Sequence, residues 1–213
     1  MKKWAITAVV AVIGLMMMSL SVIQLAQVPE VKLLEPLQTL PEFELTDQFG
    51  RPFTNADLKG KLTVAEFIFT RCPSACPVMS RRTAELYNLY ENTPKVQFIS
   101  ITVDPDYDTE EVLQRYAKMH GVTDERWKFL RHPNLQTIVD LCEKGFLMAA
   151  EKLPAGHPTK LVVLDARGAI RAYFDYNDVN LIAVMKLALR RLAEEFPEVK
   201  TVAKLSGEFK RPN

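Results

Sequence analysis

Hydrophobic and polar positions follow several different patterns along the 213-residue chain. From Trp4 to Gln27 no charged residue occurs, and Lys2 and Lys3 stand just before the run. The run exceeds both the roughly 20 apolar residues that span a bilayer and the core of an ordinary signal peptide, so it predicts a transmembrane anchor helix within residues 1–27. A cleaved signal peptide is the competing reading, but only Ser19-Leu20-Ser21 comes near the small-residue cleavage pattern. Lysines before the run and none just after it place the amino terminus in the cytoplasm. The expected location is the inner (cytoplasmic) membrane, single-pass, with the domain facing the periplasm or exterior. Pro29, Pro36 and Pro41 then mark residues 28–41 as an extended tether, since each proline removes a donor and biases its predecessor away from helix.

One domain is expected over residues 42–196. Phe43, Leu45, Phe49 and Phe53 flank Asp47-Gln48-Phe49-Gly50, which reads as a β-hairpin turn. Thr63 to Phe69 and Val96 to Val103 are short runs rich in aromatic and β-branched residues, hence buried strands. Between them, Met79, Leu86, Leu89 and Tyr90 show helical spacing over Val78–Tyr90. Thr109-Glu110-Glu111 opens a helix to about His120, with a capping hydroxyl and acids suited to the positive end of a helix. Asn134 caps another, running to about Lys144 and stopped by Gly145. Lys160–Leu164 and Ala169–Tyr173 form a hairpin about Asp165-Ala166-Arg167-Gly168, and Val179–Phe196 is a final amphipathic helix before a polar tail over 197–213. Strands joined by helices predict a parallel core, to which the late hairpin adds antiparallel strands. The expected fold is α/β: a thioredoxin-like three-layer sandwich with a mixed sheet, plus the N-terminal β-hairpin and the transmembrane anchor helix.

Composition removes several alternatives. With 48% hydrophobic and 25% charged residues the chain is neither collagen-like nor disordered. Without Lys2 and Lys3, the 25 basic and 26 acidic residues that remain nearly cancel, so no basic field exists to hold nucleic acid. No Gly-rich phosphate loop or acidic calcium loop is present.

The chemistry concentrates in Arg71-Cys72-Pro73-Ser74-Ala75-Cys76-Pro77. Proline is tolerated in the first helical turn and not in the interior, so Pro77 pins a helix start, with Cys72 in the turn before it and Cys76 in its first turn. Free backbone N–H groups and the helix dipole there favour thiolate. The pair can form a structural disulfide, act as a redox couple, or converge on one soft metal ion. A bridge closing so short a loop stabilises weakly, and a structural zinc site needs a fourth ligand that the sequence does not offer.

At these residues the chain resembles the Sco/SenC family, membrane-tethered thioredoxin-fold proteins that bind copper and help assemble cytochrome c oxidase. The resemblance covers about residues 42–190. It rests on Phe43-Glu44-Leu45-Thr46-Asp47-Gln48-Phe49-Gly50, Asp57-Leu58-Lys59-Gly60-Lys61, Phe69-Thr70-Arg71-Cys72-Pro73-Ser74-Ala75-Cys76-Pro77, and Ser100-Ile101-Thr102-Val103-Asp104-Pro105 leading to Asp108-Thr109. His157, before Leu161-Val162-Val163-Leu164-Asp165, is similar to the family's ligand-bearing histidine. It stands here in Gly156-His157-Pro158, where the family more often has Asp-His-Ser. The resemblance implies one copper ion per chain, Cu(I) or Cu(II), held by Cys72, Cys76 and His157. It also implies a partner in cytochrome c oxidase subunit II, with its dinuclear copper centre, or another copper or thiol protein. Two thiolates and an imidazole form a soft set that suits Cu(I) and accommodates Cu(II).

Two functions follow: a copper metallochaperone, or a membrane-anchored thiol–disulfide reductase in which Cys72 and Cys76 are the catalytic redox pair. The histidine and the three-residue gap between the cysteines favour copper. Among the other candidates, His120 and His132 read as surface residues, Cys142 as a small buried hydrophobe, and Met16 to Met18 as lipid-facing bulk. Asp104 and Asp108 read as a strand end and a helix cap. Glu66, the one charge in Thr63–Phe69, is expected to have a raised pKa. It stands where thioredoxins keep a buried acid under their first cysteine, which suggests a proton relay. The alternative is a partly solvated position or a pairing with a nearby Arg or Lys.

Overall fold

Among the described residues, seven strands join in one mixed sheet: β1 (Glu44–Asp47), β2 (Pro52–Thr54), β3 (Leu62–Ile68), β4 (Val96–Thr102), β5 (Trp127–Arg131), β6 (Lys160–Leu164) and β7 (Ile170–Asp175). Their spatial order is β2-β1-β5-β4-β3-β6-β7. The computed structural model describes residues 31–197 and 199. The anchor expected within 1–27, the start of the tether and most of the tail lie outside these. Among the described residues no helix is long and apolar enough to cross a membrane.

The centre of the sheet is parallel. β3 and β4 are buried along their whole length, and β5 lies parallel on the far side of β4. Strands covered on both faces read as mainly apolar runs without strict alternation, as both central segments do apart from Glu66 in β3 and Gln97 and Ser100 in β4. The β6–β7 hairpin pairs antiparallel with β3 through β6, and the β1–β2 hairpin joins the opposite side through β1 against β5. Asp47 makes the first hairpin tight: its Oδ1 accepts from the N–H groups of Phe49 and Arg51, and Gly50 takes a φ of 75°.

Helix α1 (Ala75–Leu89) connects β3 to β4, and α2 (Glu110–Met119) connects β4 to β5. Glu66 of β3 accepts from Ser80 and Thr83 of α1, and Tyr116 of α2 donates to Ser80, so both helices cover the same face. Helix α4 (Leu181–Glu195) packs against α1 and β3 on that face. Neighbouring strand residues point to opposite faces, and Phe67 meets Phe146 edge-on at 5.1 Å. The segment containing α3 (Leu135–Asp140) and the π-helical turn Leu141–Gly145 therefore forms the third layer.

β5 was not expected, because Arg126, Lys128 and Arg131 interrupt its apolar pattern. Each cation has a partner. Arg126 donates to the Tyr87 and Tyr90 carbonyls at the end of α1, Lys128 lies 3.4 Å from Asp47, and Arg131 donates to the Asp108 and Pro105 carbonyls. α1 starts three residues before Val78, with Pro77 in its first turn. The helix expected over 134–144 is α-helical only to Asp140 before widening into the π turn. Residues 31–40 are extended and run along β7: the Leu34 and Leu37 N–H groups donate to the Arg171 and Ile170 carbonyls, and Val31 is buried with Val184 and Ala188 of α4.

Candidate metal centre

β3 ends at Ile68 and α1 begins at Ala75, so the cysteine segment bridges the end of a central strand and a helix start. The bridge is held residue by residue. The Cys72 N–H donates to the Phe69 carbonyl at 3.1 Å. The Thr70 hydroxyl donates to Asp108 Oδ1 at 2.5 Å, and its N–H reaches Oδ2 at 3.1 Å. Thr102, at the end of β4, donates to the same carboxylate at 2.5 Å. Asp108 is fully buried and fastens the cysteine segment to β4. Thr109, not Asp108, caps α2. Arg71 pairs with Asp104 at 2.7 Å and stacks on the Tyr107 ring. The sequence motif was visible, but this clamping role was not.

Ser74 caps α1 without a side-chain hydrogen bond. Burial works against a Cys72 thiolate, but the N–H groups of Cys76 and Ser74 turn toward its sulfur and, with the Cys76 thiol and Ser74 hydroxyl, hold its pKa below the ordinary thiol value. The sulfur thus takes the place of a missing cap. Cys76 behaves oppositely: burial drives its pKa far up, and the Phe69 N–H that donates to its Sγ offsets this only in part.

His157, 81 residues later, reaches the same point. Its Nε2 lies 3.3 Å from Cys76 Sγ, and the donor atoms of Cys72, Cys76 and His157 all fall within 4.8 Å of one another. Nδ1 faces the Pro158 carbonyl at 3.0 Å. Only an N–H can satisfy a carbonyl, so the neutral ring carries its proton on Nδ1 and turns the Nε2 lone pair toward the thiols. Burial lowers the ring's pKa, partly countered by the Pro158 and Phe67 backbones, so the ring favours the neutral form a metal needs. Phe69 packs edge-on against it at 5.3 Å. The loop before it is tightly coiled: a Cβ on Gly156 would lie 2.1 Å from the Glu151 carbonyl oxygen. A buried set of two thiols and a ring nitrogen suits a soft or borderline metal ion.

The remaining candidates separate. Cys142 is wholly buried, donates to the Met148 carbonyl, and has its thiol pushed up to about 12 by burial. His120 is not a free surface residue: it is half-buried against Tyr116, with ring centroids 4.6 Å apart. Glu66 is 1% exposed. Burial raises its pKa to about 7 despite hydrogen bonds from Ser100, Thr83 and Ser80. Hydroxyls, not a cation or solvent, are its partners.

The SCO1/SenC family model matches residues 32–193. Among curated proteins, the SCO1 protein homolog of Bacillus subtilis is 29% identical over 143 residues, covering 64% of this chain and 72% of that one. Other curated relatives are matched over a quarter to under half of their length. Among solved structures, a SCO1/SenC family lipoprotein from Bacillus anthracis superposes with a TM-score of 0.67 at 30% identity, covering 76% of this chain and 98% of that one. Bradyrhizobium japonicum ScoI, solved with copper bound, superposes with a TM-score of 0.60 at 26% identity, covering 73% and 99%. With the family model matched from the segment along β7 to the last turns of α4, the chain belongs to the SCO1/SenC family.

Proposed function

We propose that this chain is a copper metallochaperone that takes one copper ion on Cys72, Cys76 and His157 and hands it on during assembly of cytochrome c oxidase. The proposed recipient is the dinuclear copper centre of subunit II. The chain acts from the inner membrane, anchored by its apolar N-terminal segment, with the domain on the periplasmic or outer side. The observation that carries the reading is the convergence of two thiols and a histidine ring nitrogen within 4.8 Å in a buried site. Copper in ScoI supports the choice of ion. When copper is bound, it is the cargo. The chain's own residues give up the thiol protons, orient the imidazole through Pro158 and exclude water.

A titration of the reduced full-length chain in detergent tests this. One copper per chain is expected, with Cys72→Ser or Cys76→Ser abolishing tight binding. His157→Ala should weaken Cu(II) more than Cu(I), because two thiolates alone satisfy the softer ion. Wild-type affinity in both cysteine variants would remove the reading. One observation favours thiol chemistry as a second activity: Cys72 is pushed toward thiolate and Cys76 toward thiol, the asymmetry of an attacking sulfur and its buried partner. His157→Ala should barely change the reduction potential of that pair.

A further inference from the structure

Glu66 lies outside the ligand set, yet its carboxylate is the focus of a polarised network. Ser80 and Ser100 donate to Oε1 at 3.3 and 2.7 Å, and Thr83 donates to Oε2 at 3.0 Å. Two of these hydroxyls are themselves fed: Tyr116 donates to Ser80 at 3.1 Å, and the Trp127 indole N–H to Ser100 at 2.9 Å. Every donor in both wires points at the carboxylate, the arrangement that supports an anion. No cation contributes to its environment among the described residues. Ser80 follows Cys76 by one turn on α1, so the carboxylate sits about one helical turn, roughly 5 Å, deeper than the sulfur along that helix. Its negative charge is felt at Cys76.

The charge of the loaded site depends on the copper. Two thiolates, a neutral imidazole and Cu(II) sum to zero, whereas with Cu(I) they sum to minus one. A fixed anion nearby repels the second state and leaves the first nearly untouched. We propose that Glu66 is the residue that sets the balance between copper oxidation states, offsetting the thiolates' preference for Cu(I) so that the site also retains Cu(II). This rests on the copper reading above. Even at about 10 Å, a unit charge acting through an effective dielectric of about 20 shifts such an equilibrium by about tenfold or more.

Glu66→Gln is the test substitution. The amide oxygen can accept from Ser80 and Ser100 while its NH2 donates to the Thr83 hydroxyl, so the packing survives and only the charge is lost. The full-length chain in detergent, loaded with one equivalent of Cu(II), is titrated against one-electron mediators at pH 8, where a carboxyl with a pKa of about 7 is mostly ionised. Each Cu(II) takes one electron from the mediator. Glu66→Gln is expected to raise the Cu(I):Cu(II) affinity ratio about tenfold, which is about 59 mV in midpoint potential for one electron. Competition titrations with each ion should give the same ratio, and Glu66→Asp should stay near wild type. Thr83→Val removes one donor to the anion and should shift the potential in the same direction by less. It decides the matter if Glu66→Gln does not fold. An unchanged or lowered potential in the variant that folds would overturn the inference. A wild-type chain that binds no copper would instead overturn the copper reading, and this with it.

Discussion

A carboxyl buried among hydroxyls alone makes folding stability depend on pH in the direction opposite to an ion-paired one. Glu66 has a folded pKa of about 7 against an ordinary 4.5. Between those values the folded chain binds more protons than the unfolded one, so stability falls as pH rises through the window. The shift corresponds to roughly 3 kcal/mol. His120 and His157 have depressed pKa values and act the other way, adding stability as pH rises toward the ordinary histidine value. The difference between wild type and Glu66→Gln isolates the carboxyl. In urea unfolding of the copper-free, reduced protein, Glu66→Gln should gain on wild type by roughly 3 kcal/mol between pH 4.5 and pH 8. A constant difference across that range would mean the carboxyl does not titrate there. At this scale the sequence made Cys72, Cys76, His157 and the oddity of Glu66 legible. It could not show Glu66's partners, because hydroxyls 14, 17 and 34 positions away meet it only through the packing of α1 and β4 on β3.

Local signals in the sequence locate elements well where the chain supplies its own caps. Thr109 caps α2 and Asn134 caps α3, each as its residue type suggests, and Pro77 places the start of α1 within its first turn. β5 escaped because its cations are satisfied by distant groups: the α1 C-terminus, Asp47, and the carbonyls before α2. The His157 loop was equally opaque, since its shape depends on the close passage of Gly156 over the Glu151 carbonyl. A backbone oxygen cannot yield as a flexible side chain can, so Gly156→Ala must displace the loop that carries His157. The expected cost is about 1–3 kcal/mol of stability, as for other overpacked sites. Cu(II) affinity should fall as in His157→Ala, while the dithiol still binds Cu(I). Wild-type Cu(II) affinity in Gly156→Ala would show that the loop reaches the thiols by some other path.

On the scale of the whole molecule, the mixed sheet with its parallel centre was legible because β-α-β order dictates it. β5, and the way it stitches the first hairpin to the core, were not. The proposed placement of the domain outside the cytoplasm carries a consequence for the site. An oxidising compartment drives neighbouring thiols to disulfides, and Cys72 and Cys76 have their sulfurs within 4.8 Å. A disulfide sulfur is no longer a thiolate ligand, so loading there requires a supply of reductant. Two measurements on intact cells test the placement together. An added protease that cannot cross the inner membrane should digest the domain once the outer surface is opened, while a tag before Lys2 stays protected. An impermeant thiol reagent should label Cys72 only after reduction. If the domain resists protease until the inner membrane is lysed, or a membrane-free chain starting near Val22 is recovered, the anchored outward placement is wrong. In the first case, with the domain in the cytoplasm, loading would need no reductant beyond the cytoplasmic thiol pool.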